Sequence, residues 1–180
     1  KGAEVRVYEY RLGAKSLVSN TKGELVGEGS DLKIDSIYFA YGEDKLDLHY
    51  DLVHHGRSSK SDLIVNGAMK DRSYKKFKST LDFKPGSSES DGSEVENVIL
   101  LSDDAKSMSV PVLLSGEDDV AGNHAASAGR LDDSMIFYLM SRGLTQAEAE
   151  SMVINSRFSS SIDALEDESH KEKIWTKVKE

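Results

Sequence analysis

Cysteine is absent from this 180-residue chain, which excludes disulfides, thiol nucleophiles and any metal centre held by its own thiolates. Also missing is any run near the roughly 20 apolar residues that a bilayer-spanning helix needs. Lys1-Gly2-Ala3-Glu4 lacks the basic-then-apolar pattern of a secretory leader, so a soluble protein is expected. The chain opens on Lys rather than Met, as a piece beginning partway through a longer polypeptide would. Positive charge is in deficit. With 23 Lys and Arg against 32 Asp and Glu, the net charge is -9, opposite to the cationic surface that phosphate neutralisation demands, so nucleic acid is not an expected partner. No Gly-rich loop followed by Lys and Ser or Thr is present to cradle a nucleotide, and no nucleophile-base pair stands out by spacing.

What is present suits one domain with a single core: 38% of residues are hydrophobic and 31% charged. From Glu4 to Leu114 the apolar pattern has the period of strands. Val5 and Val7 face one way, and Ile34, Ile37 and Phe39 form an irregular apolar run. Leu46, Leu48, Tyr50 and Leu52 alternate strictly with Asp47, His49 and Asp51. Further strands are expected at Leu63 to Val65, Phe77 to Phe83, Val95 to Leu101 and Met108 to Leu114. The continuous runs Val98-Ile99-Leu100-Leu101 and Val112-Leu113-Leu114 predict strands covered on both faces. Strand starts recur without helical pattern between them, which argues for stacked β-structure and leaves sandwich and solenoid both open. Lys84 to Ser93, rich in turn formers, reads as a surface loop.

Near Asp132 the period changes to 3.6. Asp132 and Asp133 suit the first turn of a helix striped by Ile136, Leu139 and Met140, and Arg142-Gly143 suits its end. Thr145-Gln146-Ala147-Glu148 is a capping box opening a helix lined by Ala149, Met152, Val153 and Ser156. Ile162 and Leu165 predict a third, short helix, and Ile174, Trp175 and Val178 a last one.

The residues Asp118-Asp119-Val120-Ala121-Gly122-Asn123-His124-Ala125-Ala126-Ser127-Ala128-Gly129-Arg130-Leu131-Asp132-Asp133, with Phe137-Tyr138-Leu139-Met140-Ser141-Arg142-Gly143 after them, resemble the C-terminal signature of the SufB/SufD family of iron-sulfur cluster assembly proteins. Gly27-Glu28-Gly29, His54 to Ser61, Lys70-Asp71 and Leu100-Leu101-Ser102 with Pro111 extend the likeness upstream. The resemblance implies a right-handed parallel β-helix over residues 1–131, followed by a small C-terminal α-helical subdomain over 132–180. It also implies a non-enzymatic scaffold that pairs with a sister SufB/SufD protein and docks a SufC-type ABC ATPase. The family's histidine falls on His124, as in SufD-type members, which makes His124 the candidate residue of a metal or cluster-assembly interface. Positions where other members carry cysteine fall on Gly122 and near Asn97, and the Glu that follows the histidine in SufB-type members is Ala125. The resemblance therefore implies no cofactor bound by this chain alone and an iron-sulfur cluster held only transiently, at an interface with the sister subunit. Phe137, Tyr138, Arg142 and Phe158 are the candidates for binding the ATPase, and Phe137, Tyr138 and Phe158 could equally be core residues that seat the helices on the last rung.

Other readings stay in view. Asp47, His49 and Asp51, with His55 following, could hold a divalent cation or a sugar, the mark of a β-helical polysaccharide-active enzyme, or they could be the wet face of an amphipathic strand. His54 and His55, adjacent in a strand, point to opposite faces. Glu117-Asp118-Asp119 lacks the spacing of a calcium loop and reads as a solvated turn. A homodimer pairing with itself is a third possibility.

Overall fold

The computed structural model describes residues 1–179. Nine strands come first: β1 (Glu4–Leu12), β2 (Ser16–Leu25), β3 (Asp31–Ala40), β4 (Lys45–His54), β5 (Lys60–Met69), β6 (Tyr74–Phe83), β7 (Ser90–Leu100), β8 (Lys106–Ser115) and β9 (Val120–Arg130). Three helices close the chain: α1 (Asp133–Ser141), α2 (Gln146–Asp163) and α3 (Glu168–Lys179). Odd strands form one sheet in the order β1-β3-β5-β7-β9 and even strands a second in the order β2-β4-β6-β8. Every pairing is parallel. Each turn of chain lays one strand on each sheet, and register partners such as Asp31 and Lys60 recur about thirty residues apart, the signature of a solenoid. The sandwich alternative is thereby settled in favour of a parallel β-helix.

Because register is kept from rung to rung, inward side chains stack in columns. One runs Val7, Ile34, Leu63, Glu94, His124; the next runs Glu9, Ser36, Val65, Glu96, Ala126. In the facing sheet, Ser19, Leu48, Phe77 and Ser109 form one column and Thr21, Tyr50, Ser79 and Pro111 another. The middle of the lumen is apolar, with Leu48, Leu63, Val65 and Phe77 all buried. Its two ends are polar. At the β1 end Arg11 donates to Glu9, Ser36, Tyr50 and Ser19. Space inside is tight: a Cβ on Gly67 would lie 2.0 Å from the Tyr38 ring, so Gly67 is what lets Tyr38 lean across into the next turn.

The corners repeat as well. Ser58, Asp71 and Glu89 take positive φ, each held by neighbours. Asp71 accepts from the Gly42 N–H and donates its own N–H to Ser102 Oγ, while Ser58 donates to Glu89.

The helices lie on the outer face of the odd-strand sheet. Ile154, Phe158 and Ile162 of α2 and Val178 of α3 form a second core with Ile37 and Ala68, flanked by Tyr10, Leu12, Phe39, Ile174 and Trp175. Asp132 caps α1 by accepting from the Ser134 N–H, and Gly143, at φ 100°, ends it in the left-handed region. The capping box at Thr145 and Glu148 forms as expected.

Several expectations are corrected. β2 and β9, within the expected β region, are strands that the apolar pattern does not single out. The expected loop Lys84 to Ser93 ends at Glu89, because β7 begins at Ser90 and the Ser90 side chain is buried. Leu113 and Leu114 are 44% and 47% exposed, since β8 is the last strand of its sheet and nothing covers it. α2 runs unbroken through Ile162, so no separate short helix exists there; its buried face is Ala149, Ile154, Phe158 and Ile162, while Met152 is exposed.

Candidate functional site

The site is the mouth of the solenoid at its last rung. β9 is rich in Gly, Ala and Ser, and strand alternation turns Gly122, His124, Ala126 and Ala128 toward the lumen. A Cβ on Gly122 would meet Leu113 at 2.8 Å and Phe83 at 3.2 Å, which fixes that face as inward. His124 stacks directly on Glu94 of β7. Its Nδ1 is 2.7 Å from Glu94 Oε2, so the two touch, yet neither atom has an aligned hydrogen-bond partner. The imidazole is 19% exposed, but both ring nitrogens are buried and lack hydrogen-bond partners, as do both Glu94 oxygens. Phe77, Ser79, Glu96, Pro111 and Ala126 enclose a void of about 10 Å³ beside the pair. Burial pushes the Glu94 carboxyl up to about 7; the Ser79 hydroxyl pulls the other way and the Asp51 charge adds to the rise. Burial also lowers the His124 value.

Behind this pair lies an ion pair sealed from solvent. Lys75 Nζ donates to Glu96, whose other oxygen accepts from Ser109, and Lys75 Nζ also lies 3.2 Å from Ser109 Oγ. The ammonium sits 5.5 Å from the centre of the Phe77 ring. Desolvation lowers the Lys75 value and the Glu96 charge opposes it. Sequence periodicity misses Glu94, Glu96 and Lys75, because Val95 and Val98 suggest opposite faces of β7 and only the register from turn to turn shows that the acids point inward.

The other sequence candidates separate cleanly. Asp47, His49 and Asp51 project from the outer face of β4, and His49 Nε2 is 3.0 Å from Asp47 Oδ1, half exposed and beside Lys76 and Lys78 of the neighbouring strand. His54 is fully buried, bonded through Nδ1 to Ser59 and through Nε2 to Ser61, and packed on Phe83, whereas His55 is exposed in the following turn. Asn97 faces outward in a ladder with Asn66 and Ser127. Phe137 is 74% exposed, Tyr138 is exposed, and the Arg142 guanidinium lies 5.1 Å from the Tyr138 ring centre. Phe158 corrects the expectation of a surface anchor. It is fully buried against the odd-strand sheet and offers no area to a partner.

Among the described residues no three His, Asp or Glu side chains converge on one point as metal ligands. The mouth can contribute one imidazole, backed by one carboxylate, to a site that other groups complete.

A parallel β-solenoid carrying a helical tail and ending in a small-residue rung around one histidine defines the class of protein. Residues 1–157 match the family model of the SUF system FeS cluster assembly, SufBD core domain, and the chain belongs to that family. It is similar to the iron-sulfur cluster assembly protein SufD of Bacillus subtilis (strain 168), 33% identical over 137 residues, covering 76% of this chain and 31% of that protein. It is also similar to SufD of Escherichia coli (strain K12), 29% identical over 171 residues, covering 95% of this chain and 40% of that protein. An iron-sulfur cluster assembly SufBD family protein of Methanothermobacter thermautotrophicus is 29% identical over 151 residues, covering 84% of this chain and 36% of its own length. The chain thus spans well under half the length of these relatives.

Proposed function

We propose that this chain is a non-enzymatic scaffold subunit of the SUF-type machine that assembles iron-sulfur clusters, in the manner of SufD. It pairs with a sister SufB/SufD protein through its last rung, where His124 offers one ligand to a cluster under construction, and the cluster itself is cargo. The solenoid, residues 1–131, is the pairing body. The helical part, 132–180, docks a SufC-like ABC ATPase through Phe137, Tyr138 and Arg142; of this part, Glu180 lies outside the described residues. The reading places the protein in the cytoplasm, and no helix of the described residues is long and apolar enough to cross a membrane.

The observation that carries the reading is the state of that last rung. β8 and β9 each pair on one side only, Met108, Leu113 and Leu114 are exposed, and Ala125 to Arg130 are exposed along their length. Such a strand edge is a template for another chain. With no thiolate in the chain and one histidine at this mouth, the chain supplies part of a site, and a partner must supply the rest. The acids of β4 lie on its outer face, half exposed and with Asp47 paired to His49, which favours a wet strand face over the polysaccharide-enzyme reading.

Affinity capture from the native cell tests the proposal. An ABC-type ATPase and a sister SufB/SufD protein should come down together with the chain, and a chain that captures neither refutes it. Light scattering on the isolated protein distinguishes the self-paired dimer, which would double the mass. In the reconstituted complex, His124→Ala should lower cluster formation while the fold is kept.

A further inference from the structure

We propose that Glu94 is the positioning residue of His124: its carboxylate accepts a hydrogen bond from Nδ1–H, keeps the proton on that nitrogen and so leaves the lone pair on Nε2 as the ligand the ring offers. This rests on the reading of His124 as a cluster-assembly ligand and adds to it which nitrogen acts and what decides it. A neutral imidazole carries one N–H and one lone pair, and the partner of the N–H determines which nitrogen can bind metal.

Three observations single out Glu94. First, the parallel register sets it directly under His124 in the same inward column, one strand spacing away, with Oε2 2.7 Å from Nδ1. A small rotation of either side chain brings the contact into line. Second, Glu94 is 3% exposed and neither of its oxygens has another hydrogen-bond partner. A buried carboxylate without an aligned partner is costly; the Ser79 hydroxyl lies near one side of it, and the imidazole N–H of His124 is the donor stacked directly on it. Third, the other acid at the mouth, Glu96, is already engaged by Lys75 and Ser109. Glu94 never needs to touch the metal; it acts through the ring.

The test reads the tautomer directly. Two-bond proton-nitrogen NMR on the histidine-labelled chain, in alkaline buffer where Glu94 is ionised, should show His124 with its proton on Nδ1, the minor form of a free histidine side chain. Glu94→Gln, whose amide oxygen still accepts, should keep that tautomer and keep cluster formation in the reconstituted complex within about twofold. Glu94→Leu should move the proton to Nε2 and lower cluster formation roughly 10- to 100-fold, the range seen when such supporting groups are lost. A wild-type His124 protonated on Nε2, which is measured without any variant, overturns the proposal, as does a ring spectrum unmoved by Glu94→Leu. If instead His124→Ala leaves cluster formation unchanged while the tautomer follows Glu94, the functional reading of His124 fails and the positioning contact stands.

Discussion

Lys75 of β6 and Glu96 of β7 face each other across the solenoid lumen as an ion pair sealed from solvent, their side chains 0% and 1% exposed. Two charges inside a closed stack hold each other in place, and each is intolerable alone. Lys75→Met should therefore destabilise the chain by about 3–5 kcal/mol, because Glu96 is left buried and uncompensated. The double variant Lys75→Met with Glu96→Leu should recover most of that loss, since a well-packed apolar pair costs less than a broken charge pair. Urea titration of the four proteins measures the coupling.

Gly67 makes the second test. Gly67→Ala places a methyl 2.0 Å from the Tyr38 ring, which is itself fully buried and unable to retreat. Overpacking of this kind costs about 1–3 kcal/mol or more. Thermal denaturation should show a lowered midpoint, and in a Tyr38→Leu background the added methyl should cost far less. Equal cost in both backgrounds would exclude the steric explanation.

Opposed titrations shape the pH dependence. Glu94 keeps its proton in the folded chain up to about 7, whereas an unfolded glutamate releases it near 4.5, so its contribution is present at low pH and is lost as pH rises through that window. His54 behaves in reverse: burial lowers its value from 6.5 to about 4, so its contribution is present above 6.5 and is lost as pH falls toward 4. The two nearly offset between about 4.5 and 6.5, each on the order of 3 kcal/mol at full extent. Glu94→Gln should unmask the His54 slope, with stability rising from pH 4 to 6.5. Chemical denaturation across that range checks it, and a flat profile in the variant would remove the assignment.

Two phenylalanines should separate folding from partnership. Phe158→Ala, in the core between α2 and the sheet, should cost about 3–5 kcal/mol. Phe137→Ala, on a side chain 74% exposed, should change stability by no more than about 0.5 kcal/mol and yet weaken capture of the ATPase. Melting curves and pull-down of both variants decide between the roles.

Legibility in the sequence followed how fully a segment obeyed its period. β4 was plain because Leu46, Leu48, Tyr50 and Leu52 all point inward. β2 was not, since its inward positions are Leu17, Ser19, Thr21, Gly23 and Leu25, three of the five polar or without a side chain, in a strand that ends its sheet. β9 hid for a related reason: Gly, Ala and Ser carry almost no periodic signal, and the family motif rather than the pattern marked His124. The run Ser159-Ser160-Ser161 obscured the C-terminal turns of α2, where Phe158 and Ile162 nevertheless keep one buried face. Glu94 and Glu96 stayed invisible because no single strand reveals which way an acid points when its partners lie about thirty residues away.

Parallel stacking leaves each turn touching only the turns before and after it, and the final strand has one neighbour. Such an array loosens from its termini, so backbone amides of β9, like those of β1 at the opposite end, should trade their hydrogens for deuterium sooner than those of β4 through β6. The strand that carries the histidine is thus one of the solenoid's loose ends, and a docking protein that adds its own strand there would quiet it.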